Sequence, residues 1–233
     1  MTICSLFDII VLGVDKMKDK FNLTIDENIF LAKRLIIDNI YSNARIEGCN
    51  VTFPETQTIL QGVNVPNVKL DDITCILNLR DAWRYIINNI NEEFNLNFIC
   101  KVNENVARNE SLEWGTLRTG KVGISGTDYI PQIPNKEEVE NQIANINSIE
   151  CVTKRAIKYM LYGMRAQLFW DGNKRTSIIC ANKILISNGK GIITVKDENL
   201  NEFNILLTDF YSTNKDEKIF KFIYDKCIFG LER

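Results

Sequence analysis

Residues 69–95 read KLDDITCILNLRDAWRYIINNINEEFN, and Ile73, Ile76, Leu77, Trp83, Ile86 and Ile90 fall on one side of a 3.6-residue period. That spacing fits a long amphipathic helix and no strand. The same period recurs over residues 24–45, where Ile29, Leu35, Ile36 and Ile40 share a face behind a capping residue at Thr24 or Asp26. Helix is expected again over 137–149, 151–164 and 173–187, with two closing helices within 197–233. Thr52 and Glu55 have the spacing of a capping box. Only four prolines interrupt 233 residues, and three of them (Pro66, Pro131 and Pro134) sit in segments without helical period. One stretch breaks the pattern. Residues 114–134, WGTLRTGKVGISGTDYIPQIP, carry Gly115, Gly120, Gly123 and Gly126, too many for a stable helix. Val122, Ile124 and Ile130 alternate there with small or polar residues, which predicts a short β-hairpin. The expected class is all-α, a helical bundle with one hairpin, in a single domain over 1–233.

Charge excludes some functions. The formal net charge is −2 and the pI about 5.4, so no global field draws nucleic acid or an anionic membrane, and any anion site must be local. The chain has no histidine. That removes the commonest general base and the usual imidazole metal ligands. Seven widely spaced cysteines match neither a disulfide framework nor a CxxC metal pattern, and reduced thiols in the cytoplasm are expected. The apolar run at residues 5–13 is too short to span a bilayer and reads as an amphipathic helix.

The chemistry concentrates in residues 166–185, AQLFWDGNKRTSIICANKIL. Phe169, Asp171, Gly172, Asn173, Lys174 and Arg175 resemble the signature HxFx(D/E)GN(G/K)R of the Fic (filamentation induced by cAMP) and Doc family. Two further stretches agree in order. ARIEGCNVTFPET, from residue 44, resembles the family's glutamate-bearing inhibitory helix, here about 26–48. GTLRTGKVGISGTDYIPQIP resembles its target-docking flap, with Lys121, Val122, Gly123 and Ile124 as the docking edge. The resemblance runs over roughly 35–191, with a core at about 70–191 and closing helices at about 197–233. It implies a Fic-like fold and transfer of AMP from ATP, with Mg²⁺, to a hydroxyl of a target protein. An antitoxin or a second copy of the chain would be a further partner. Two positions depart from the pattern: Gln167 stands where the family has its histidine, and Ile178 where many members have a second arginine. The lysine in GNKR also resembles the Doc branch, which transfers a terminal phosphate.

Physically, the amides that open a helix at Asn173 lack intrahelical acceptors, and with Lys174, Arg175 and Thr176 they would cradle phosphates. Gly172 admits close backbone approach. Asp171 would hold Mg²⁺ against the phosphates. Gln167, Asp171, Asn173 and Arg175 are the expected catalytic group. A glutamine amide cannot accept a proton, and loss of a positioned base costs ~10²–10⁴-fold in rate. Gln167 is left to hydrogen-bond a phosphate oxygen or water, or to pack at a helix end. Glu47 either reaches Arg175 or Lys174, or ends its helix on a solvated face. Three functions follow: an altered AMP transferase, a silent nucleotide-binding regulator, and a Doc-like phosphotransferase.

Overall fold

A computed structural model describes residues 17–231. The segment expected as an N-terminal amphipathic helix, with Cys4, lies outside the described residues. Helices dominate: α1 (Ile25–Arg34), α2 (Ile36–Glu47), α3 (Phe53–Leu60), α4 (Leu70–Asn88), α5 (Leu96–Val106), α6 (Lys136–Asn147), α7 (Val152–Ala166), α8 (Asn173–Ile186), α9 (Asp197–Thr213) and α10 (Glu217–Phe222). The all-α class stands. None of the described helices is long and apolar enough to cross a membrane.

Local chemistry sets the boundaries. Thr24 and Thr52 each cap a helix through a reciprocal box with Glu27 and Glu55. The helix expected over 24–45 is two helices that break at Leu35, whose backbone leaves the helical range. α2 ends at Gly48, which takes the left-handed conformation at φ 95° that a glycine adopts without strain. The helix read to residue 95 stops at Asn88, because the amide side chain of Asn89 caps the carbonyl of Tyr85 and a turn follows.

The centre of the molecule is α8. Every residue in it except Lys174 is buried, so it is a helix with no solvated face. α7 packs most extensively along it, and α5, α2, α4 and α1 complete the surround. Polar groups in α8 are therefore satisfied internally. Ser177 Oγ donates to the Asn173 carbonyl, and Asn182 bridges Ile178 to both backbone groups of Ile193. That anchors β1 (Ile192–Ile193), which pairs antiparallel with β2 (Ile228–Phe229).

This pair is the only ladder among the described residues. The hairpin expected over 114–134 forms no ladder, a correction to the sequence reading. The two arms carry no regular secondary structure, and the side chain of Arg118 takes the carbonyls of Gly120, Pro131 and Gln132 on both of them. Acceptors that a ladder would use are spent on a guanidinium.

The α7–α8 contact closes at Gly163, where a Cβ would meet Ser177 Oγ at 2.4 Å. Helix propensity alone favours alanine there by about 1 kcal/mol. Overpacking costs about 1–3 kcal/mol and prevails. Gly163→Ala is expected to lower the urea midpoint, and adding Ser177→Ala to recover part of the loss. A rise in the midpoint for Gly163→Ala would contradict this packing.

Candidate functional site

The loop between α7 and α8 is a chain of short-range contacts. α7 ends at Gln167, which takes the left-handed conformation at φ 47°, uncommon for a residue with a side chain. Its amide Nε2 turns back to the Met164 carbonyl at 2.6 Å and caps the helix. Its own carbonyl accepts from Arg118 Nε at 2.5 Å. Gln167 thus works as a helix-end residue, the second of the two roles its sequence allowed.

Asn173 closes the turn. Its side chain accepts from the Phe169 amide at 2.9 Å and donates to the Phe169 carbonyl at 2.8 Å. Gly172 precedes α8 at φ 71°, and a Cβ there would sit 2.8 Å from Val106 Cγ1. Asp171 Oδ1 accepts from the Gly172 amide. Asn103, fully buried on α5, donates to the Asp171 carbonyl and to Thr176 Oγ1, and accepts from the Gly115 amide at 2.9 Å. One amide therefore joins motif loop, α8 and the start of the flap. The N-terminus of α8 has no side-chain cap, so its first amides are free of an intrahelical or capping acceptor.

The two motif cations behave differently. Lys174 is partly exposed, donates to the Ile46 carbonyl at 3.0 Å, and lies 3.8 Å from Glu47 Oε2. Arg175 is 1% exposed and ringed by carboxylates. Its Nη1 donates to Glu110 Oε2 at 2.6 Å, Nη2 lies 3.4 Å from Asp171 Oδ1, and Nε lies 3.4 Å from Glu47 Oε2. Cys75 Sγ also accepts from Nη1 at 3.3 Å. Burial opposes the Arg175 charge, but Cys75, Glu47 and Glu110 outweigh it and raise its pKa.

The three contacts are unequal. Glu110 is fixed from behind by Asn78 Nδ2 at 2.8 Å. Glu47 Oε2 and Arg175 Nε are in ion-pair reach but off hydrogen-bonding angle, and neither makes a hydrogen bond, nor does the nearby Tyr211 hydroxyl. Burial and then Glu47 push that phenol's pKa up. Glu47 is the loosest of the three carboxylates. The structure thus brings Glu47 to both motif cations and rules out the solvated-face reading.

Thr176 is buried and serves α8 and Asn103 rather than facing outward. In the flap, Lys121 and Gly123 are exposed, while Val122 and Ile124 are half-buried and Ile124 packs on the core. The flap tip rests on α9, with Thr127 Oγ1 2.9 Å from Ser212 Oγ. Gly120 lies against the Trp170 ring, leaving no room for a Cβ. A cavity of about 910 Å³ runs along the second arm between Gln132, Ile146, Tyr162, Arg165 and Phe210. None of Asp171–Arg175 lines it, so size alone does not identify the motif as a site.

Glu110, Asn103, Arg118 and Tyr211 escaped the sequence reading. Glu110 and Asn103 carry no local signal, since their partners are 65 and 73 residues away. Arg118 stood within the quoted flap, a charge flanked by glycines with no acid at helical or cross-strand spacing.

As to cofactors, Asp171 is half-exposed and the amides at the α8 N-terminus are uncapped, which fits a phosphate with its metal. The described residues include no group of three acidic, Cys or His side chains able to hold a metal alone, so a metal here would depend on the phosphates for ligands. Arg175 does not fit while three carboxylates hold it.

Comparison with known proteins bears on the family and the fold. A model of the Fic/DOC family matches residues 93–185, which include Glu110, the flap and the motif. The chain is 24% identical over 204 residues to the protein adenylyltransferase Fic of Aedes aegypti, covering 82% of this chain and 40% of that protein. Among solved structures, Fic-1 (residues 134–508) from C. elegans superposes with a TM-score of 0.73 at 16% identity, over 93% of this chain and 66% of that one. A Fic-domain-containing signaling protein from Bacteroides thetaiotaomicron gives 0.67 at 16% identity, over 94% and 90%. At these identities the structures speak for the fold. The chain thus spans less than half of the curated relative it matches.

Because the buried Arg175 is the shared partner of three partly exposed carboxylates, Arg175→Met is expected to destabilise by about 1.5–3 kcal/mol, the scale of a lost hydrogen bond to a charged group. Lys174→Met, partly exposed, should cost less than about 1 kcal/mol. Equal losses in denaturant titration would contradict the asymmetry.

Proposed function

We propose that this chain, whose residues 93–185 match a model of the Fic/DOC family, is a Fic-type nucleotide-binding protein whose AMP transfer is impaired, held closed by Glu47. The observation that carries the reading is the position of Glu47 Oε2, 3.4 Å from Arg175 Nε and 3.8 Å from Lys174 Nζ. The C-terminal end of α2 covers the motif cations with its own anion. Glu47, Glu110 and Asp171 carry three negative charges against two positive ones on Lys174 and Arg175. A triphosphate approaching this closed arrangement meets a net negative charge. Withdrawal of Glu47 would turn the balance to neutral and free the Lys174 ammonium beside the uncapped helix end. Glu47 is suited to that part because it makes the weakest contact of the three.

Each remaining residue has a defined task in this reading. Uncapped amides at the start of α8 and Lys174 would hold phosphate oxygens, and Asp171 would face a Mg²⁺ that neutralises them. Arg175, fixed by Glu110, would supply fixed positive charge next to them. Asn103 and Asn173 hold the loop's shape. Gln167 takes no proton from a target hydroxyl: an amide is neutral at physiological pH, and its Nε2 is engaged with Met164. Binding and deprotonation are separate tasks, so the first survives loss of the second. The flap, with Lys121, Val122, Gly123 and Ile124, would present an edge to an extended segment of a target protein.

A silent regulator is the second reading, and the engagement of Gln167 favours it. Incubation with ATP labelled at the α- or the γ-phosphate separates the possibilities. Wild type is expected to transfer no label. The double variant Gln167→His, Glu47→Gly should transfer α-label, and Glu47→Gly alone should bind ATP without transfer. γ-Label on wild type would replace this reading with a Doc-like phosphotransferase. Failure of the double variant to bind ATP at all would remove the nucleotide from the account.

A further inference from the structure

Arg118 is 1% exposed and faces no carboxylate among its recorded contacts. A buried, unpaired guanidinium is costly unless its donors are met. Here backbone carbonyls meet them. Nε donates to Gln167 at 2.5 Å, Nη1 to Gly120, and Nη2 to Gln132 at 2.6 Å, with Pro131 at 3.4 Å and Ala166 at 3.5 Å. The residue's own amide donates to the Leu168 carbonyl at 3.0 Å. Ala166 and Gln167 lie at the C-terminal end of α7, where carbonyls point outward and the helix dipole is negative, so a cation gains there what it lacks from an acid. Burial still lowers the Arg118 pKa, with Tyr129 partly opposing.

The acceptors belong to three separate pieces of chain: the first flap arm at Gly120, the second at Pro131 and Gln132, and the motif loop at Gln167. No strand pairs with residues 121–124; the arms are otherwise joined at the tip turn, where the Thr127 amide donates to the Ile124 carbonyl at 3.3 Å. We propose that Arg118 is a positioning residue that makes the flap and the motif loop one mechanical unit, its planar fork replacing the ladder of a hairpin. Two consequences follow from the geometry. The backbone of Gln167 is held in its left-handed turn by the same group that holds the flap, so neither moves without the other. And because the inner carbonyls are satisfied by a side chain, the outer edge at 121–124 stays available for a partner strand. Planarity matters, since the acceptors lie in different directions around one plane, which a lysine ammonium cannot copy.

Hydrogen exchange read by mass spectrometry on the intact chain tests this. In Arg118→Gln, segments 118–132 and 167–172 are expected to exchange faster together, by roughly 10-fold or more, the effect of losing charge-assisted bonds. Interior amides of α4 and α8 should keep their wild-type rates. Arg118→Lys, which retains charge without the fork, should show the same paired pattern at smaller size. Faster exchange in the flap with the motif loop unchanged would overturn the proposal, and so would a uniform loss across α4 and α8, which marks a merely structural role. If Arg118→Gln does not fold, the lysine variant decides by the same criteria. Wild type supplies an independent check: the two segments should open with one shared rate, and two unrelated rates would overturn the coupling.

Discussion

Everything at the site depends on one buried cation. Arg175 sits inside the bundle at the start of the central helix, where its charge is tolerable only because acids from three other places reach it. Glu47 comes from the end of α2, Glu110 from the turn after α5, and Asp171 from the motif loop itself. The requirement to neutralise one guanidinium therefore fixes how α2, α5 and α8 meet. It also ranks the acids. Glu110 is locked by Asn78, while Glu47 ends a helix beside a glycine and makes no hydrogen bond through Oε2. The same cation thus has a tight side, which holds the fold, and a loose side, on which the proposed regulation rests.

The protein contains a second buried guanidinium solved by the opposite means. Arg118 has carbonyl dipoles where Arg175 has carboxylates. The difference suits their places. An acid beside Arg118 would stand under the flap, next to the loop proposed to receive phosphate. Carbonyls stabilise a cation with partial charges and leave the local net charge positive. Around Arg175 the acids are present, and three carboxylates meet one guanidinium.

Much of this was legible in the chain. Helical period gave α4, because a buried stripe every 3.6 residues is written into one segment and needs no distant partner. The Thr52 capping box was legible for the same reason, while Thr24 was only one of two caps expected for α1. The motif loop and the Glu47 helix were recognisable as spaced residue types. Long-range pairing was not. Nothing near Glu110 indicates that it would meet an arginine 65 residues later. The hairpin reading failed in an instructive way: alternation and glycines described non-helical arms correctly, but the acceptors of the expected ladder went to a side chain that the pattern treats as a surface charge. Gln167 was readable as a lost base, whereas its role as a cap emerged only from the turn at φ 47°.

Departures from the family pattern also make physical sense together. With Ile178 buried in α8 where a second arginine often stands, Glu47 has only Arg175 and Lys174 to engage. With Gln167 spent on α7, Asp171 is the one carboxylate in the loop. What remains is a loop whose two cations are both within ion-pair reach of Glu47, the arrangement from which the proposed gating is argued.

The central claim is that Glu47 occupies the place of an incoming phosphate. Calorimetric titration with ATP and Mg²⁺ of wild type beside Glu47→Gln tests it most directly, since the substitution keeps shape and removes the charge. The account expects affinity to rise by roughly 10-fold or more, the scale of one close charge released from a partly buried site. Equal affinities in the two proteins would contradict it.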